Sequence, residues 1–385
     1  MFYIQDPRIE SSFLLNEALL DACRYALYGA GTYAFVSADG IQLLMKNSAF
    51  EEFMNEGHYF LLMGTDEITN TKSLKKAEQF CSFYPNLTVR AFVHHTSGST
   101  FHPKFSWFKY EQGGVLVLGS GNLTAKGLRR NTEAFVVQPL DEAEILIIEQ
   151  KWNEWIESSQ HCIKELDDPE VVRKAEQNTK NMFEKIMQVQ PYPPTQSIDK
   201  GKISGDWVIS GKAGRNTITE DEEDAWYSAG ESNVLIAEIP IPHERKRNRL
   251  ISFNMEPTLA KNFFDRELDS EYPVVLRQVT EKGDLKEVET AVVRLNSGGK
   301  YQIELGGTYV RKFYEENRMI GVFVKLSVRT FLYMMVTPDS PYYQALKEEL
   351  NNYRWDMNHL VHYETDAGTL QSMVRSLPVL EYNRM

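Results

Sequence analysis

The sequence contains little of what marks several common classes of protein. Its 385 residues include three cysteines, Cys23, Cys81 and Cys162, which are far apart and odd in number. This spacing matches neither a disulfide framework nor a cysteine-based metal site, and it favours a reducing compartment. No apolar run is long enough to cross a bilayer. The first residues lack the basic and apolar segments of a secretion signal. We therefore expect a cytoplasmic protein that makes no membrane contact.

The chain also lacks an excess of positive charge. Its formal net charge is −12, and neither half resembles a uniformly basic nucleic-acid-binding protein. This balance is an objection to a DNA partner. A locally basic face can still exist, because screening at physiological salt acts over about 8 Å. Two hypotheses stay open: an acidic protein with a selective DNA-binding face, and a protein that binds no nucleic acid.

Apolar periodicity divides the first part of the chain into alternating helices and strands. Helices are expected at about 10–28, 41–54, 71–83, 141–157 and 169–187, and strands at 33–36, 59–63, 87–93, 115–118 and 134–138. Such alternation predicts an α/β domain with a mixed sheet flanked by helices. We place this domain at residues 1–190.

A proline-rich and then polar stretch follows at 191–206 and predicts a linker. Residues 207–385 change character, since many short strands with turn signals indicate a mainly β barrel or sandwich. Strands are expected at 207–210, 234–239, 250–253, 274–279, 288–295, 301–305, 321–326 and 331–336, with short helices at about 257–266 and 308–316. The last residues, 351–385, carry no motif and are expected to form a helical tail of unassigned role.

Residues with chemical potential are concentrated between 101 and 135. His102 and Lys104 are two apart, so on a strand their side chains point to the same face. The apolar run 115–118 is expected to be a fully buried strand. Ser120 and Asn122 follow it directly, which predicts that all four polar side chains meet at the ends of two adjacent strands.

These residue types suit phosphoryl transfer. A histidine such as His102 can attack phosphorus and form a covalent intermediate, and a second histidine can protonate the leaving oxygen. Lys104 offers fixed positive charge, and Ser120 and Asn122 offer neutral donors for the phosphate oxygens. Glu133 could bond the far ring nitrogen of a histidine and fix its tautomer. No metal or other cofactor is needed for these roles.

Each piece also has a bland explanation. A His-x-Lys triplet occurs by chance, and Gly119-Ser120-Gly121-Asn122 alone is an ordinary turn with a helix cap. The combination in this order favours a catalytic site.

His102-Pro103-Lys104 followed by GSGNLTAKGLRRNTEAF resembles the phospholipase D superfamily, whose signature is His-x-Lys with a downstream Gly-Ser-x-Asn. It is most similar to the nuclease branch within type II restriction endonucleases, the NgoFVII-like and BfiI-like enzymes. The resemblance implies an α/β phospholipase D-like nuclease domain. It makes His102 the nucleophile or general acid, makes Lys104, Ser120 and Asn122 the phosphate ligands, and makes Glu133 the residue that orients a histidine.

The sequence departs from the longer superfamily motif at Lys109, where that motif has an aspartate. This departure weakens a lipase hypothesis more than a nuclease one. The chain contains one such motif, so a two-histidine mechanism requires two copies. We therefore predict a homodimer with one composite site at its two-fold axis.

The second part of the chain is similar, over AEIPIPHERKRNRLISFN, to the barrel domain of the same restriction enzymes, which resembles the plant B-three-type DNA-binding pseudobarrel. Arginine, lysine and asparagine are side chains that contact phosphates and base edges. The residues that we expect to contact double-stranded DNA are Lys212, Arg215, Asn216, Arg245, Lys246, Arg247, Asn248 and Arg249. A charge run can also be just a solvated loop.

Together these features predict a metal-independent, sequence-specific double-stranded DNA endonuclease, a restriction enzyme subunit, that works through a phosphohistidine. Two alternatives remain. The chain could be a DNA-binding subunit that is active only with an ATP-dependent helicase-like partner, or a phosphodiesterase or phospholipase that acts on a non-DNA substrate.

Overall fold

The structure is a computed structural model that describes residues 1–95, 100–188, 233–240, 251–255, 257–265, 273–295, 299–305, 317–353 and 360–381. Within these residues one large sheet forms from the first part of the chain and another from the last part, with a small third sheet beside the second. The predicted linker at 191–206, the strand at 207–210 and the helix at 308–316 lie outside the described residues.

The first sheet has eight strands in the order β1-β7-β6-β5-β2-β3-β4-β8. Strands β2, β3 and β4 are parallel, and the other neighbouring pairs are antiparallel. The predicted mixed sheet is therefore confirmed. The strands are β1 (Phe2–Gln5), β2 (Tyr28–Tyr33), β3 (His58–Gly64), β4 (Leu87–Phe92), β5 (Lys104–Lys109), β6 (Gly114–Gly119), β7 (Glu133–Leu140) and β8 (Ile163–Lys164).

Helices cover both faces of this sheet. The helices are α1 (Leu15–Cys23), α2 (Ala38–Met45), α3 (Ser48–Glu56), α4 (Thr71–Phe83), α5 (Glu142–Ser158) and α6 (Pro169–Gln188). A π-helical turn spans Lys126–Arg130. The larger apolar core lies between the sheet and α1–α4, with α6 packed on α4, and a smaller core lies under α5 around Ile145 and Trp152.

The single helix expected at 41–54 is wrong, because the chain forms α2 and α3 instead. Asn47 separates them in an extended conformation, and its side chain accepts a hydrogen bond from the Ala49 backbone N–H at 3.0 Å. Asparagine is favoured at such a cap, since its side chain satisfies an N–H that the helix cannot. The apolar period continues across the break and hides it.

The strand expected at 33–36 is also displaced, since β2 runs from Tyr28 to Tyr33. Gly31 lies inside that strand, where an added Cβ would come within 2.5 Å of the Ser106 hydroxyl. Ser106 accepts or donates hydrogen bonds with the buried hydroxyls of Tyr33 and Tyr59 at 2.8 and 3.0 Å. Gly31 therefore serves close packing inside the strand.

The expectation that 115–118 is fully buried is wrong as well. Val115 and Val117 are buried, but Leu118 on the opposite face is 48% exposed. Helix α5 packs on β6 near Gly114, where an added Cβ would come within 2.8 Å of the Ile145 side chain, but Leu118 lies at the other end of the strand. Alternate side chains of one strand therefore meet different environments.

The last part of the chain is mainly β among its described residues. A six-stranded sheet has the order β12-β11-β16-β15-β9-β17, with β11 and β16 parallel, and a three-stranded sheet has the order β10-β14-β13. The strands are β9 (Val234–Glu238), β10 (Ile251–Met255), β11 (Val274–Val279), β12 (Leu285–Ala291), β13 (Arg294–Leu295), β14 (Tyr301–Leu305), β15 (Ile320–Ser327), β16 (Thr330–Val336) and β17 (His362–Thr365). The similarity of this part to a B-three pseudobarrel stays a prediction.

Two expectations for this part need correction. The strand expected at 288–295 divides into β12 and β13, which pair in different sheets, because the chain crosses between the sheets after Ala291. The C-terminal residues are not only helical, since β17 pairs with β9 and adds an edge strand. The helices here are α7 (Pro257–Asn262), α8 (Tyr343–Asn352), α9 (Ala367–Met373) and α10 (Pro378–Glu381). Among the described helices, none combines the length and apolar character needed to span a bilayer.

The two parts of the chain pack directly on one another. Val275 and Val288 of the second sheet join the larger core of the first. Ion pairs also cross between them: Arg277 to Asp39 at 2.7 Å, Lys76 to Glu287 at 2.7 Å and Arg329 to Glu17 at 2.8 Å. The second part therefore rests on the α1, α2 and α4 side of the first.

Candidate active site

The strand order brings the predicted site residues to one edge of the first sheet. Lys104 begins β5 and pairs with Tyr33 at the end of β2. Because β5, β6 and β7 are successively antiparallel, the end of β6 and the start of β7 meet at that same edge. The predicted site residues therefore lie on segments that enter or leave the sheet at this edge: His102, Lys104, Ser120, Asn122 and Glu133. The first and the last of them are 31 positions apart in the chain.

His102 and Lys104 are in direct contact. The Lys104 ammonium nitrogen lies 2.9 Å from Nδ1 and 3.1 Å from Nε2 of the His102 ring, and 3.3 Å from its backbone oxygen. An ammonium group can only donate, so the ring nitrogen that accepts from it carries no proton. The Lys104 side chain is largely buried and the His102 side chain is exposed. The pair thus presents a neutral imidazole to solvent above a buried positive charge.

The surroundings shift the pKa of both groups downward. Burial lowers the pKa of His102 from its usual 6.5, and the positive charge of Lys104 lowers it further. Burial also lowers the pKa of Lys104, while the negative charge of Glu133 opposes that shift. A histidine with a lowered pKa keeps its lone pair at more acidic pH, which suits a nucleophile.

Replacing Lys104 with methionine is expected to raise the pKa of His102. The substitution removes the repulsion between the ammonium and the protonated ring, so protonation of His102 becomes easier and occurs at higher pH. Burial remains, so the pKa should approach 6.5 without exceeding it. An NMR titration of the His102 ring proton measures this directly. Lys109→Met, at the other end of β5, is the matched control and should leave the titration unchanged. An unaltered or lower pKa in Lys104→Met would contradict the electrostatic contact.

Asn122 is fixed from two sides. Its side-chain oxygen accepts a hydrogen bond from the backbone N–H of Phe35 at 3.2 Å. Its backbone lies against Gly127 of the π-helical turn, where an added Cβ would come within 2.6 Å of the Asn122 nitrogen. Asn122 is therefore not the helix cap that the alternative explanation assumed. The hydroxyl of Thr124 accepts from the Gly127 N–H instead, at 3.0 Å.

Ser120 and Glu133 form a polar pair beside these residues. The Ser120 hydroxyl donates to one oxygen of the Glu133 carboxylate and accepts from the Ala134 N–H at 3.0 Å. The other Glu133 oxygen accepts from the Asn131 side-chain amide at 3.1 Å. The carboxylate is thus oriented by Ser120 and Asn131 within the chain, and its predicted bond to a histidine stays a prediction.

Lys109, the departure from the longer motif, does not lie in this site. It ends β5, about 16 Å from Lys104 at ~3.3 Å per residue. Its ammonium pairs with Glu149 of α5 at 2.7 Å. The lysine therefore links β5 to α5 at the end of the sheet opposite the site.

Sequence analysis missed several residues that hold the site. Gln5 of β1 is buried and donates from its side chain to the backbone oxygens of Gly127 and Asn131 at 3.2 and 2.8 Å. Phe35 holds Asn122 through its backbone, which no side-chain pattern reveals. The predicted DNA contacts Lys212, Arg215, Asn216, Arg245, Lys246, Arg247, Asn248 and Arg249 lie outside the described residues. Among the described residues, no three histidine, cysteine, aspartate or glutamate side chains lie close enough together to hold a metal ion.

No family model matches the chain, and no curated protein matches it. Solved structures do resemble it. Nuc from Salmonella typhimurium, a phospholipase D family member, is 14% identical with a TM-score of 0.32, over 43% of this chain and 95% of its own. NucT from Helicobacter pylori is 15% identical with a TM-score of 0.29, over 43% and 99%. The N-terminal domain of Helicobacter pylori LlaJI.R1 is 11% identical with a TM-score of 0.26, over 35% and 99%. Likeness at this level does not establish an activity, so the residues of the site carry the functional conclusion.

Proposed function

We propose that this chain is a phosphodiesterase of the phospholipase D type and, more specifically, a DNA endonuclease of a restriction system. The observation that carries the proposal is the contact between His102 and the buried Lys104 at a sheet edge that also holds Asn122 and Ser120. A neutral ring nitrogen, a positive charge and neutral donors are the groups that an in-line attack on a phosphodiester requires.

The reaction follows from these groups. The lone pair of a His102 ring nitrogen attacks phosphorus, a P–N bond forms, and the P–O bond to the leaving nucleoside oxygen breaks. A second, protonated imidazole gives its proton to that oxygen. Water then attacks phosphorus and returns a proton to the second imidazole while the P–N bond breaks. Lys104 and Asn122 neutralise and hold the non-bridging oxygens throughout, and no metal ion takes part in this scheme.

A second copy of the chain supplies the second imidazole in this proposal. The outer face of the sheet beside the site is apolar and uncovered, with Phe2 62%, Ile4 61% and Leu118 48% exposed. Phe2 pairs with Val136 and Leu118 pairs with Val136 from the other side, so these side chains form one continuous patch. Exposed apolar patches of this kind mark protein interfaces. Leu118 precedes Ser120 by two residues, so a copy docked here would bring its own His102 near the first.

Replacing Phe2 with aspartate is expected to convert the dimer to a monomer and to reduce phosphodiester cleavage about 10²-fold or more, the usual contribution of a general acid. A charge in the apolar patch disfavours its burial, and the strand partner of Phe2 is the apolar Val136. Light scattering measures the mass, and cleavage is assayed on the same preparation. Leu27→Asp places a charge on an apolar residue that is 53% exposed at the opposite end of the sheet, and it should change neither the mass nor the cleavage. A Phe2→Asp protein that stays dimeric would argue against this patch.

Recognition of duplex DNA is assigned to the last part of the chain, with the predicted arms at 212–216 and 245–249 as its contacts. The acidic overall charge favours a selective binder over one that holds any DNA. Two alternatives use the same chemistry. In one, the chain cleaves DNA only with a helicase-like ATPase partner. In the other, the substrate is a lipid or another non-DNA phosphodiester.

The test is incubation of the purified chain in excess EDTA with mixed-sequence duplex DNA, and separately with phospholipid vesicles. Discrete DNA fragments are the expected result. Turnover of vesicles alone would favour the lipid alternative. Duplex binding without cutting, relieved by cell extract and ATP, would favour the partner-dependent alternative. Neither cutting nor binding of DNA, and no turnover of vesicles, would overturn the DNA assignment.

A further inference from the structure

Arg129 connects the two parts of the chain from inside the core. It lies on the π-helical turn Lys126–Arg130, and its side chain is 1% exposed. Its Nε donates to the Thr330 hydroxyl at 3.1 Å and its Nη2 to the Arg329 backbone oxygen at 3.2 Å. Arg329 lies in the turn between β15 and β16, and Thr330 follows it as the first residue of β16. Two hydrogen bonds therefore fix the Arg129 guanidinium relative to that turn.

Burying the Arg129 guanidinium at this position is energetically unfavourable. Burial lowers the pKa of Arg129 to about 10, and the negative charge of Glu17 opposes the shift, so the group stays charged at neutral pH. No described residue accepts a hydrogen bond from its Nη1. Removing a charge from water is strongly unfavourable, and apolar side chains of similar volume often stabilise such sites better. The residue thus needs an explanation beyond stability.

The same turn of helix supports the phosphate-binding residue. Gly127, two positions before Arg129, lies so close to Asn122 that an added Cβ would fall within 2.5 Å of the Asn122 backbone oxygen. Gly121 is in similar contact with the backbone of Gly127. Closely packed backbones transmit displacement because the interior has no space to absorb it. Close backbone packing therefore connects the turn that carries Arg129 to Asn122.

We propose that Arg129 is a positioning residue. It links the turn between β15 and β16 to Asn122 and keeps Asn122 where it can bind a phosphate oxygen. The last part of the chain thereby sets the activity of the first, and a ligand that displaces this turn when bound to the second sheet changes turnover without reaching the reacting atoms. The inference rests on the proposed phosphodiesterase function for its kinetic consequence, but the positioning of Asn122 can be observed without turnover.

The kinetic arm uses the full chain with bis(p-nitrophenyl) phosphate, a substrate too small to need the second sheet. Arg129→Met should lower kcat about tenfold or more with little change in KM, because the reacting groups remain but are displaced. Arg129→Lys, which can donate to one acceptor, should recover part of the loss. Thr330→Val should show a smaller loss. Lys76→Met breaks another ion pair between the two parts, through α4 and β12, and should leave kcat unchanged.

The structural arm uses selective ¹⁵N-asparagine labelling, with the Asn122 side-chain amide signals assigned by Asn122→Asp. Arg129→Met and Thr330→Val should shift these signals, and Lys76→Met should not. The double variant Arg129→Met/Thr330→Val should lose no more activity than Arg129→Met alone, because both residues act through one contact. Thermal unfolding of each variant separates displacement from loss of fold.

The outcomes distinguish the two proposals. A wild-type chain that hydrolyses neither the small diester nor DNA overturns the proposed function, and the asparagine signals still decide the role of Arg129. Unchanged Asn122 signals and an unchanged kcat in folded Arg129→Met overturn the positioning role. Strictly additive losses in the double variant would also overturn it, since they would show that Arg129 and Thr330 act independently.

Discussion

Replacing His102 with alanine is expected to reduce DNA cleavage by at least about 10³-fold while duplex binding is retained. The substitution removes the nucleophile, so only positioning and electrostatic stabilisation remain at the site. The side chain is exposed, and the buried Lys104 ammonium, which donates to its ring, keeps the His102 backbone oxygen as an acceptor at 3.3 Å, so loss of the ring should leave the fold intact. Cleavage is measured by gel in excess EDTA, and binding by mobility shift on the same duplex.

The matched control is His58→Ala. His58 is also exposed, but it begins β3 at the opposite end of the sheet, so its loss should leave cleavage intact. A second observation identifies the role of His102 itself. Rapid acid-free quenching of the wild-type reaction, followed by mass spectrometry, should find an added phosphoryl-linked nucleotide on the peptide that contains His102. Normal DNA cleavage by His102→Ala, or a nucleotide adduct on another residue, would contradict the proposed mechanism.

Local signals predicted the fold where local interactions determine it. Helix α4 begins and ends where its periodicity indicates, because the Asn70 side chain caps it by accepting from the N–H groups of Lys72 and Ser73. Strands β11 and β14 also match their predicted bounds, since β-branched and apolar residues alternate between clear turn signals.

The misses have a common cause in contacts that are distant along the chain. Strand β1 was not predicted because its four residues gain their strand partners from β7, 128 to 134 positions later. The exposure of Leu118 depends on which helix covers which part of the sheet, and no property of β6 alone contains that information. Strand order is set by the whole core, so sequence periodicity identifies faces but not what covers them.

The site shows the same division. The motif identified the groups that perform chemistry, since their residue types and spacing are constrained by the reaction. The residues that hold these groups in place could not be predicted from the motif, because they act through backbone atoms or through the second part of the chain. Phe35 offers a backbone N–H to Asn122, and Arg129 is anchored 201 positions away at Thr330. Predicting them requires the packing of both parts.

Replacing Arg329 with methionine is expected to destabilise the chain by about 3–5 kcal/mol, the usual cost of removing one partner of a buried ion pair. Arg329 makes two bonds to the Glu17 carboxylate, at 2.8 and 2.9 Å, and two more to the backbone oxygens of Glu10 and Ser12. The Glu17 carboxylate is fully buried, so methionine would leave its negative charge without this cationic partner, with the Leu14 N–H still donating to it at 3.0 Å, and would leave two carbonyl oxygens without the guanidinium that donates to them. Arg329 also holds a left-handed backbone conformation, with a φ of 51°, which these contacts maintain.

Urea unfolding of the full chain measures this loss, and two further variants identify its source. Arg8→Met removes an exposed pair with Asp6 and should have no measurable effect, since solvent screens such a pair. Glu17→Gln combined with Arg329→Met should be more stable than Arg329→Met alone, because the orphaned charge is gone. If Arg329→Met were as stable as Arg8→Met, the buried pair would contribute nothing to holding the two parts together. The β15–β16 turn would then be free to move, and Arg129 would have no fixed reference from which to position Asn122.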